Sequence, residues 1–220
     1  MKLVRTDDGS MSLRSSTHGI LYHSHHGALT ESLHVFIANG LDYRSQNSAH
    51  PDETIRILEY GVGTGLNALL AYQWSMNMGI SIEYVGLEIE PVTIWKDLAY
   101  VQHDETGYDF FSTFHQEEWN TKHRYKGVSF TKVKESFLDY EPREEYFDVI
   151  FYDAFAPTSQ EELWTCDTWQ KCYAALRSYG VWVSYCAKGQ VRRDLQSVGF
   201  DISRLPGPPG KREMLRAEKP

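Results

Sequence analysis

The sequence predicts an α/β protein with a mostly parallel, doubly wound sheet, preceded by a small N-terminal hairpin and helix. Three observations predict it. Residues 55–69 read Ile-Arg-Ile-Leu-Glu-Tyr-Gly-Val-Gly-Thr-Gly-Leu-Asn-Ala-Leu: a short apolar strand, a turn carrying Gly61, Gly63 and Gly65, and the start of an apolar helix. A second apolar run, Phe147 to Tyr152, is flanked by charge and reads as a strand buried in a parallel sheet. Around these two stretches, strand-length runs alternate with helical ones, the pattern of βαβ units.

Taken in order, residues 2–14 read as two short strands around Asp8-Gly9-Ser10, a hairpin turn. Leu29, Leu33, Phe36, Ile37 and Leu41 recur at helical spacing, with Gly27 or Thr30 to start that helix and Gly40 to end it. His23, His25 and His26 lie before it, but no carboxylate or Cys cluster completes a ligand set, and no metal is expected. Residues 44–54, including Pro51, read as the linker between an extension over 1–50 and a core domain over 51–220.

After the glycine turn the helix runs to about Met78 and stops at Gly79, and Ser81 to Leu87 forms the next strand. A helix over Val92–His103 follows, then a polar, aromatic stretch to Arg124 in which Phe110, Phe111, Phe114 and Trp119 pack a helical insertion. Val128–Val133 is a strand, Glu161–Leu176 a helix, Val181–Cys186 a strand and Val191–Val198 a short helix. The chain closes with a strand from Gly199 to Ile202, a rigid proline loop over 205–210 and a strand over 211–216.

The chemistry lies at the carboxyl ends of the strands, where open α/β sheets bind ligands. Glu59 beside the glycine turn argues against a pyrophosphate and for a positively charged or hydroxyl-rich ligand. A dinucleotide fingerprint would read G-x-G-x-x-G, whereas Glu59 to Gly65 read E-x-G-x-G-x-G, which resembles motif I of the class I S-adenosylmethionine-dependent methyltransferases. Glu88, about 27 residues past Gly61, stands where such a fold places the carboxylate that binds both ribose hydroxyls. Glu90 instead fits a helix N-terminus, and Glu135 falls where the adenine edge is contacted. Asp153 ends the buried strand and faces the same cleft, or else caps the following turn.

Composition sets further bounds. At 220 residues the chain suits one α/β domain with a small appendage. The net charge of −8 excludes a protein coated in nucleic acid. Residues 188–220 nevertheless carry eight Lys or Arg against four Asp or Glu, a local +4 that leaves −12 for the rest. Lys188, Arg192, Arg193, Lys211 and Arg212 are therefore candidate phosphate contacts, a solvated basic face being the plainer reading. Cys166, Cys172 and Cys186 lack zinc spacing and are expected as reduced thiols. With no apolar run of membrane length and no signal-peptide pattern, a cytoplasmic location is expected.

These residues together resemble a known family. Tyr22-His23-Ser24 with Glu31-Ser32 and Val35-Phe36 carry the resemblance, with Glu59 to Asn67, Glu88, Asp153-Ala154-Phe155-Ala156-Pro157 and Leu163-Trp164-Thr165. So do Val191-Arg192-Arg193 with Leu195, Gly199-Phe200, and Gly210 to Leu215. The chain closely resembles the methyltransferase domain of the bifunctional bacterial enzymes that make 5-methylaminomethyl-2-thiouridine in tRNA, in a stand-alone form. The resemblance implies a Rossmann-like class I fold and S-adenosylmethionine held by Glu59, Gly61, Gly63, Gly65, Asn67, Glu88, Glu135 and Asp153. It implies methyl transfer to the amine of 5-aminomethyl-2-thiouridine at the tRNA wobble position, with Asp153 as the catalytic carboxylate. The base must leave the anticodon stack, so Tyr22, Phe155 and Trp164 are candidate stacking or wall residues.

No FAD is expected, since the family's oxidoreductase half is not represented; a separate FAD-dependent oxidoreductase is a possible partner. Two other readings stay open. One is a small-molecule amine transferase, either an N-methyltransferase or an aminopropyltransferase of the spermidine-synthase type. The other is a non-catalytic S-adenosylmethionine-binding module.

Overall fold

The computed structural model describes residues 1–17, 19–47, 54–98, 100 and 105–220. Strands β1 (Lys2–Arg5) and β2 (Met11–Arg14) pair antiparallel around the expected turn. That turn starts the first helix. Asp8 accepts the backbone N–H of Thr30 at 2.9 Å and its hydroxyl at 2.8 Å, so a carboxylate from the hairpin supplies the N-terminal partner that a helix start requires.

The helix does not stop at Gly40. It begins as α1 (Ala28–Ser32), widens to π geometry over Leu33–Asp42 and finishes as α2 (Tyr43–Gln46). Gly40 serves packing instead, since a Cβ there would meet the side chains of Phe151 and Val183 at 3.2 Å. The expected linker is thereby shortened, and Pro51 lies outside the described residues.

The core is an eight-stranded sheet of β3 (Thr54–Tyr60), β4 (Ser81–Leu87), β5 (Lys122–Tyr125), β6 (Val128–Val133), β7 (Phe147–Tyr152), β8 (Leu176–Ser184), β9 (Asp201–Pro206) and β10 (Glu213–Glu218), in the order β5-β6-β4-β3-β7-β8-β10-β9. β6, β4, β3, β7 and β8 run parallel, while β5 lies antiparallel on one edge and β10 is antiparallel to both β8 and β9. Successive side chains point to opposite faces. Ile57, Val149 and Phe151 join the core beneath the π-helix and α3 (Leu66–Met78), while Leu58, Ile150 and Tyr152 join Trp164, Trp169 and Trp182 on the other side. The chain leaves β3 for β4 on one side and returns to β7 on the other, so the β3 end is the topological switch point.

Several expected elements shift. Of the helix over 92–103, the structure describes a 3₁₀ turn at Trp95–Leu98, and residues 99 and 101–104 lie outside the described set. The aromatic insertion is α4 (Glu105–Gln116), with Phe110, Phe111 and Phe114 buried. It is followed by β5, a short edge strand that its charged sequence did not announce. The helix expected over 161–176 is a 3₁₀ turn at Glu161–Leu163 and then α5 (Cys166–Ala175), and Leu176 already pairs with Phe147 in β8. Among the described residues, no helix is long and apolar enough to cross a membrane.

Candidate active site

At the end of β3, Gly61 and Val62 donate backbone N–H groups to the Leu87 carbonyl at 3.1 and 3.0 Å, tying the glycine turn to β4. Gly61 adopts φ +96°, and a Cβ there would stand 2.6 Å from the Asp153 carbonyl oxygen. Gly63, at φ +50°, leaves room for the Tyr22 ring, 2.8 Å from where its Cβ would be. The glycines thus let the β7 end and the N-terminal extension close onto the turn. Gly65 then leads into α3, whose first turn carries Asn67.

Three carboxylates are set by these elements. Glu59 is fully buried and accepts the Asn67 amide at 2.6 Å and the Tyr84 hydroxyl. The same Asn67 nitrogen donates to Asp153 Oδ2 at 2.9 Å, so one amide joins the β3 and β7 ends. Burial, and next the charge of Asp153, raise the Glu59 carboxyl well above its usual range. Asp153 is half-buried, and loss of hydration together with the nearby Glu31 carboxylate pushes it up to about 8, against the pull of Asn67 and Lys211. Glu88 accepts the N–H groups of Gly63 and Glu90, each at 2.9 Å, and burial raises it despite them.

A cleft of about 880 Å³, partly open to solvent, runs over these ends. Gly61, Gly63, Glu88, Asp153, Tyr22 and Phe155 line it, six residues the sequence singled out. Tyr22 and Phe155 pack edge to face, centroids 5.2 Å apart, as one aromatic wall.

Other expectations are corrected. Glu59, Gly65 and Asn67 do not line the cleft; they support the groups that do. Glu135 is exposed outside it, because the chain turns at Ser136, whose carbonyl accepts the N–H groups of Asp139 and Tyr140, and Ser136, Phe137 and Leu138 form the wall. Trp164 is buried against Tyr152 and Trp169 and donates its indole N–H to the Phe155 carbonyl at 2.8 Å, so it fixes the Phe155 loop from behind.

Among the basic residues, Lys188, Arg193 and Arg212 are exposed and Arg192 is half-buried on α6 (Gly189–Ser197). Lys211 differs. It is paired with Glu31 and lies 3.7 Å from the centroid of the Tyr185 ring, an inward contact instead of one offered to a phosphate.

Sequence reasoning gave no cleft role to His23, Thr64, Glu90, Gln160, Glu162 and Leu163; Glu90, expected at a helix N-terminus, lines the cleft and accepts the Thr17 hydroxyl at 3.1 Å, and the 3₁₀ turn after it starts only at Trp95. His23 contacts Ser12 Oγ at 3.1 Å and Thr64 Oγ1 at 3.4 Å, and burial pulls its imidazole down to about 4, keeping it neutral at pH 7. Among the described residues, no group of His, Cys, Asp and Glu is arranged to hold a metal ion. Glu31 was marked in the sequence by the family resemblance alone, and His23 by that resemblance and by the histidine cluster that completes no ligand set; Gln160, from the loop after β7, and Glu162, from the 3₁₀ turn that follows it, carried no signal.

The residues fit a nucleoside cofactor with a cationic centre. The switch-point turn carries three positive-φ glycines, Gly61, Gly63 and Gly65, the Glu88 carboxylate lines the cleft beside it, and Asn67 Oδ1 is buried without a hydrogen-bond partner. A doubly wound, mostly parallel sheet with a glycine turn and carboxylates at its switch point is the architecture of the nucleoside-binding α/β folds. Residues 111–220 match the S-adenosyl-L-methionine-dependent methyltransferase family Methyltransf_30, and the chain belongs to that family.

Over 98% of its length the chain is 31% identical to the tRNA 5-methylaminomethyl-2-thiouridine biosynthesis bifunctional protein MnmC of Aromatoleum aromaticum, of which it spans 35%. The structure superimposes over its whole length on the crystal structure of MnmC2 from Aquifex aeolicus, covering 71% of that chain with a TM-score of 0.79 at 25% identity. The protein is thus an MnmC-like methyltransferase that spans about a third of the first of these relatives. A probable spermidine synthase from Corynebacterium glutamicum shares the fold, with a TM-score of 0.52 at 19% identity over 83% of this chain and 62% of its own.

Proposed function

We propose that this protein methylates the primary amine of 5-aminomethyl-2-thiouridine at the wobble position of tRNA, giving 5-methylaminomethyl-2-thiouridine. The observation that carries this reading is Asp153: a carboxylate at a parallel-strand end, beside the glycine turn, fixed by Asn67 and held near pH 8.

When bound, S-adenosylmethionine supplies an electrophilic methyl group on sulfur. Glu88 would accept its ribose hydroxyls, Ser136 to Leu138 would border its base, and the turn at Gly61 and Gly63 would let it approach the backbone, all of them residues that line the cleft. Asp153 binds the acceptor ammonium, orients the nitrogen lone pair toward the methyl group and takes up the proton that the nitrogen gives up. The ionised form does this, and its raised proton affinity favours the uptake once pH passes about 8. Asn67 and Glu59 hold Asp153 in place.

Tyr22 and Phe155 form the wall against which an extruded base packs. Lys188, Arg192, Arg193 and Arg212 are the phosphate contacts in this reading, and Lys211 is withdrawn from that role. A separate FAD-dependent oxidoreductase that delivers the aminomethyl substrate, and a cytoplasmic location, complete it.

The test is transfer of radiolabelled methyl to tRNA carrying 5-aminomethyl-2-thiouridine, beside the same tRNA without the aminomethyl group and beside free diamines. Label confined to the aminomethylated tRNA is the expected result. Label in the diamines alone would replace this reading with a small-molecule amine transferase, which the acidic lining of Glu88, Glu90, Glu162 and Asp153 also suits. Binding without transfer to any acceptor would mean a non-catalytic module.

A further inference from the structure

Ser12, His23, Thr64 and Tyr100 form one chain of polar contacts that joins the N-terminal extension to the glycine turn. Ser12 lies on β2 with no exposed surface; its Oγ accepts the His23 backbone N–H at 3.2 Å and lies 3.1 Å from His23 Nδ1. On the other side of the ring, Nε2 lies 3.4 Å from Thr64 Oγ1, to which the Tyr100 hydroxyl donates at 3.2 Å. Thr64 is 1% exposed, and both it and His23 line the cleft. The Thr64 carbonyl is held as well, accepting from His115 Nε2 at 3.1 Å.

Burial keeps the His23 imidazole neutral, so it carries one N–H, and two arrangements of protons are open to these residues. With the proton on Nδ1, the ring donates to Ser12 Oγ and Thr64 donates to Nε2. The Ser12 hydroxyl proton is then left without an acceptor among the described residues, at a position closed to water. With the proton on Nε2, Ser12 donates to Nδ1 and Nε2 donates to Thr64. The unmatched proton is then that of the Thr64 hydroxyl, whose oxygen already accepts from His23 and Tyr100. A donor orphaned in the interior costs more than one that opens onto a cleft, so the second arrangement prevails.

We propose that His23 is a positioning residue: from Nε2 it fills the acceptor side of Thr64 Oγ1, so that the hydroxyl proton turns into the cleft and donates to the carboxylate at the amino-acid end of the cofactor. The ribose hydroxyls of S-adenosylmethionine are donors that suit Glu88. Its carboxylate is its one anionic group and can only accept. Thr64 stands just before α3, whose unpaired first-turn N–H groups and partial positive charge favour an anion. The hold on that carboxylate is thus set from β2, a strand of the extension, through a ring that fixes the direction of one hydroxyl. This rests on the reading of the cleft as the cofactor site and not on the identity of the methyl acceptor.

The experiment is calorimetric binding to the full chain of S-adenosylhomocysteine, which has the amino-acid end, beside 5′-methylthioadenosine, which lacks it. Thr64→Val should weaken S-adenosylhomocysteine by about tenfold and His23→Leu by about threefold, the scale of a lost and of a misdirected hydrogen bond to a charged group. Methylthioadenosine should stay within about twofold of its parent affinity in both, whereas a turn that had merely loosened would lose the two ligands alike. Thr64→Ser and His23→Gln, which keep the hydroxyl and a donor, should bind both ligands as the parent does. His23→Leu added to Thr64→Val should cost nothing more, since one acts through the other.

If replacing the ring prevents folding, Ser12→Ala tests the same link from outside the cleft. It frees the ring to carry its proton on Nδ1, accept from Thr64 and withdraw the hydroxyl proton, and should again weaken S-adenosylhomocysteine alone by about threefold. In the parent protein, the ¹⁵N shifts of the His23 ring should show Nε2 protonated and Nδ1 bare. A ring protonated at Nδ1, equal losses for the two ligands, or additive losses in the double variant would overturn the role of His23. A parent chain that binds neither ligand would overturn the cofactor reading of the cleft together with it, and methyl transfer to tRNA decides the substrate separately.

Discussion

Glu59 and Glu88 sit at the carboxyl ends of adjacent parallel strands, yet their surroundings differ. Glu59 has no exposed surface, and its oxygens are taken by Asn67 and Tyr84. Glu88 is held by two backbone N–H groups and lines the cleft. The difference comes from what packs above each strand end. The first turn of α3 and Tyr84 cover Glu59, while the glycine turn bends back so that Gly63 meets Glu88 from one side only. One carboxylate is enclosed and the other opens onto the cleft, and Asp153 is joined to the enclosed one through Asn67.

The largest effect that this contrast implies falls on Asp153. Asp153→Asn should lower methyl transfer by about 10²- to 10⁴-fold, the range for losing a general base, while S-adenosylmethionine affinity measured by calorimetry changes far less. Because the ionised form takes the proton, kcat/KM should rise with pH through about 8 in the parent protein. Stability has the opposite slope. Between about pH 4 and 8 the folded state holds a proton that the unfolded chain releases, so the stability of the cofactor-free protein falls as pH rises, and Asp153→Asn should flatten part of that fall in denaturant titrations.

Glu59→Ala tests the strut. It leaves the Tyr84 hydroxyl and the Asn67 amide without their buried partner, and should cost about 1–3 kcal/mol in urea unfolding. Glu88→Ala should do the reverse, weakening S-adenosylmethionine by about tenfold with the unfolding midpoint little changed. Equal stability losses in the two variants would erase the distinction drawn between them.

The smallest effect is on the basic face. Each of Lys188, Arg193 and Arg212 changed to Gln should reduce the slope of log affinity for tRNA against log salt by about 0.7 to 0.9, measured by filter binding. Lys211→Gln should leave that slope unchanged.

The parts legible in the sequence were those set by neighbouring residues. Gly61 and Gly63 announced a turn because positive φ is a local requirement, and Phe147 to Tyr152 announced a buried strand because Val149 to Tyr152 put apolar side chains on both of its faces. Hence Glu88 and Asp153, which follow strand ends, could be placed at the cleft from the order of residues alone. Gly40 misled for the same reason: as a local signal it reads as a helix stop, and only its contact with Phe151 and Val183 shows why the helix continues past it.

By itself, then, the sequence determined the α/β winding, the glycine turn and the carboxylates at the strand ends, since hydrophobic period and backbone conformation act within a few residues. The tertiary structure alone decided which carboxylates open onto the cleft and which are enclosed, because burial depends on what packs above each strand end. It also decided that Tyr22 reaches the turn at Gly63, that Trp164 stands behind Phe155, and that Lys211 meets Glu31. The first and last of these join distant segments, and no spacing along the chain encodes the distance between them.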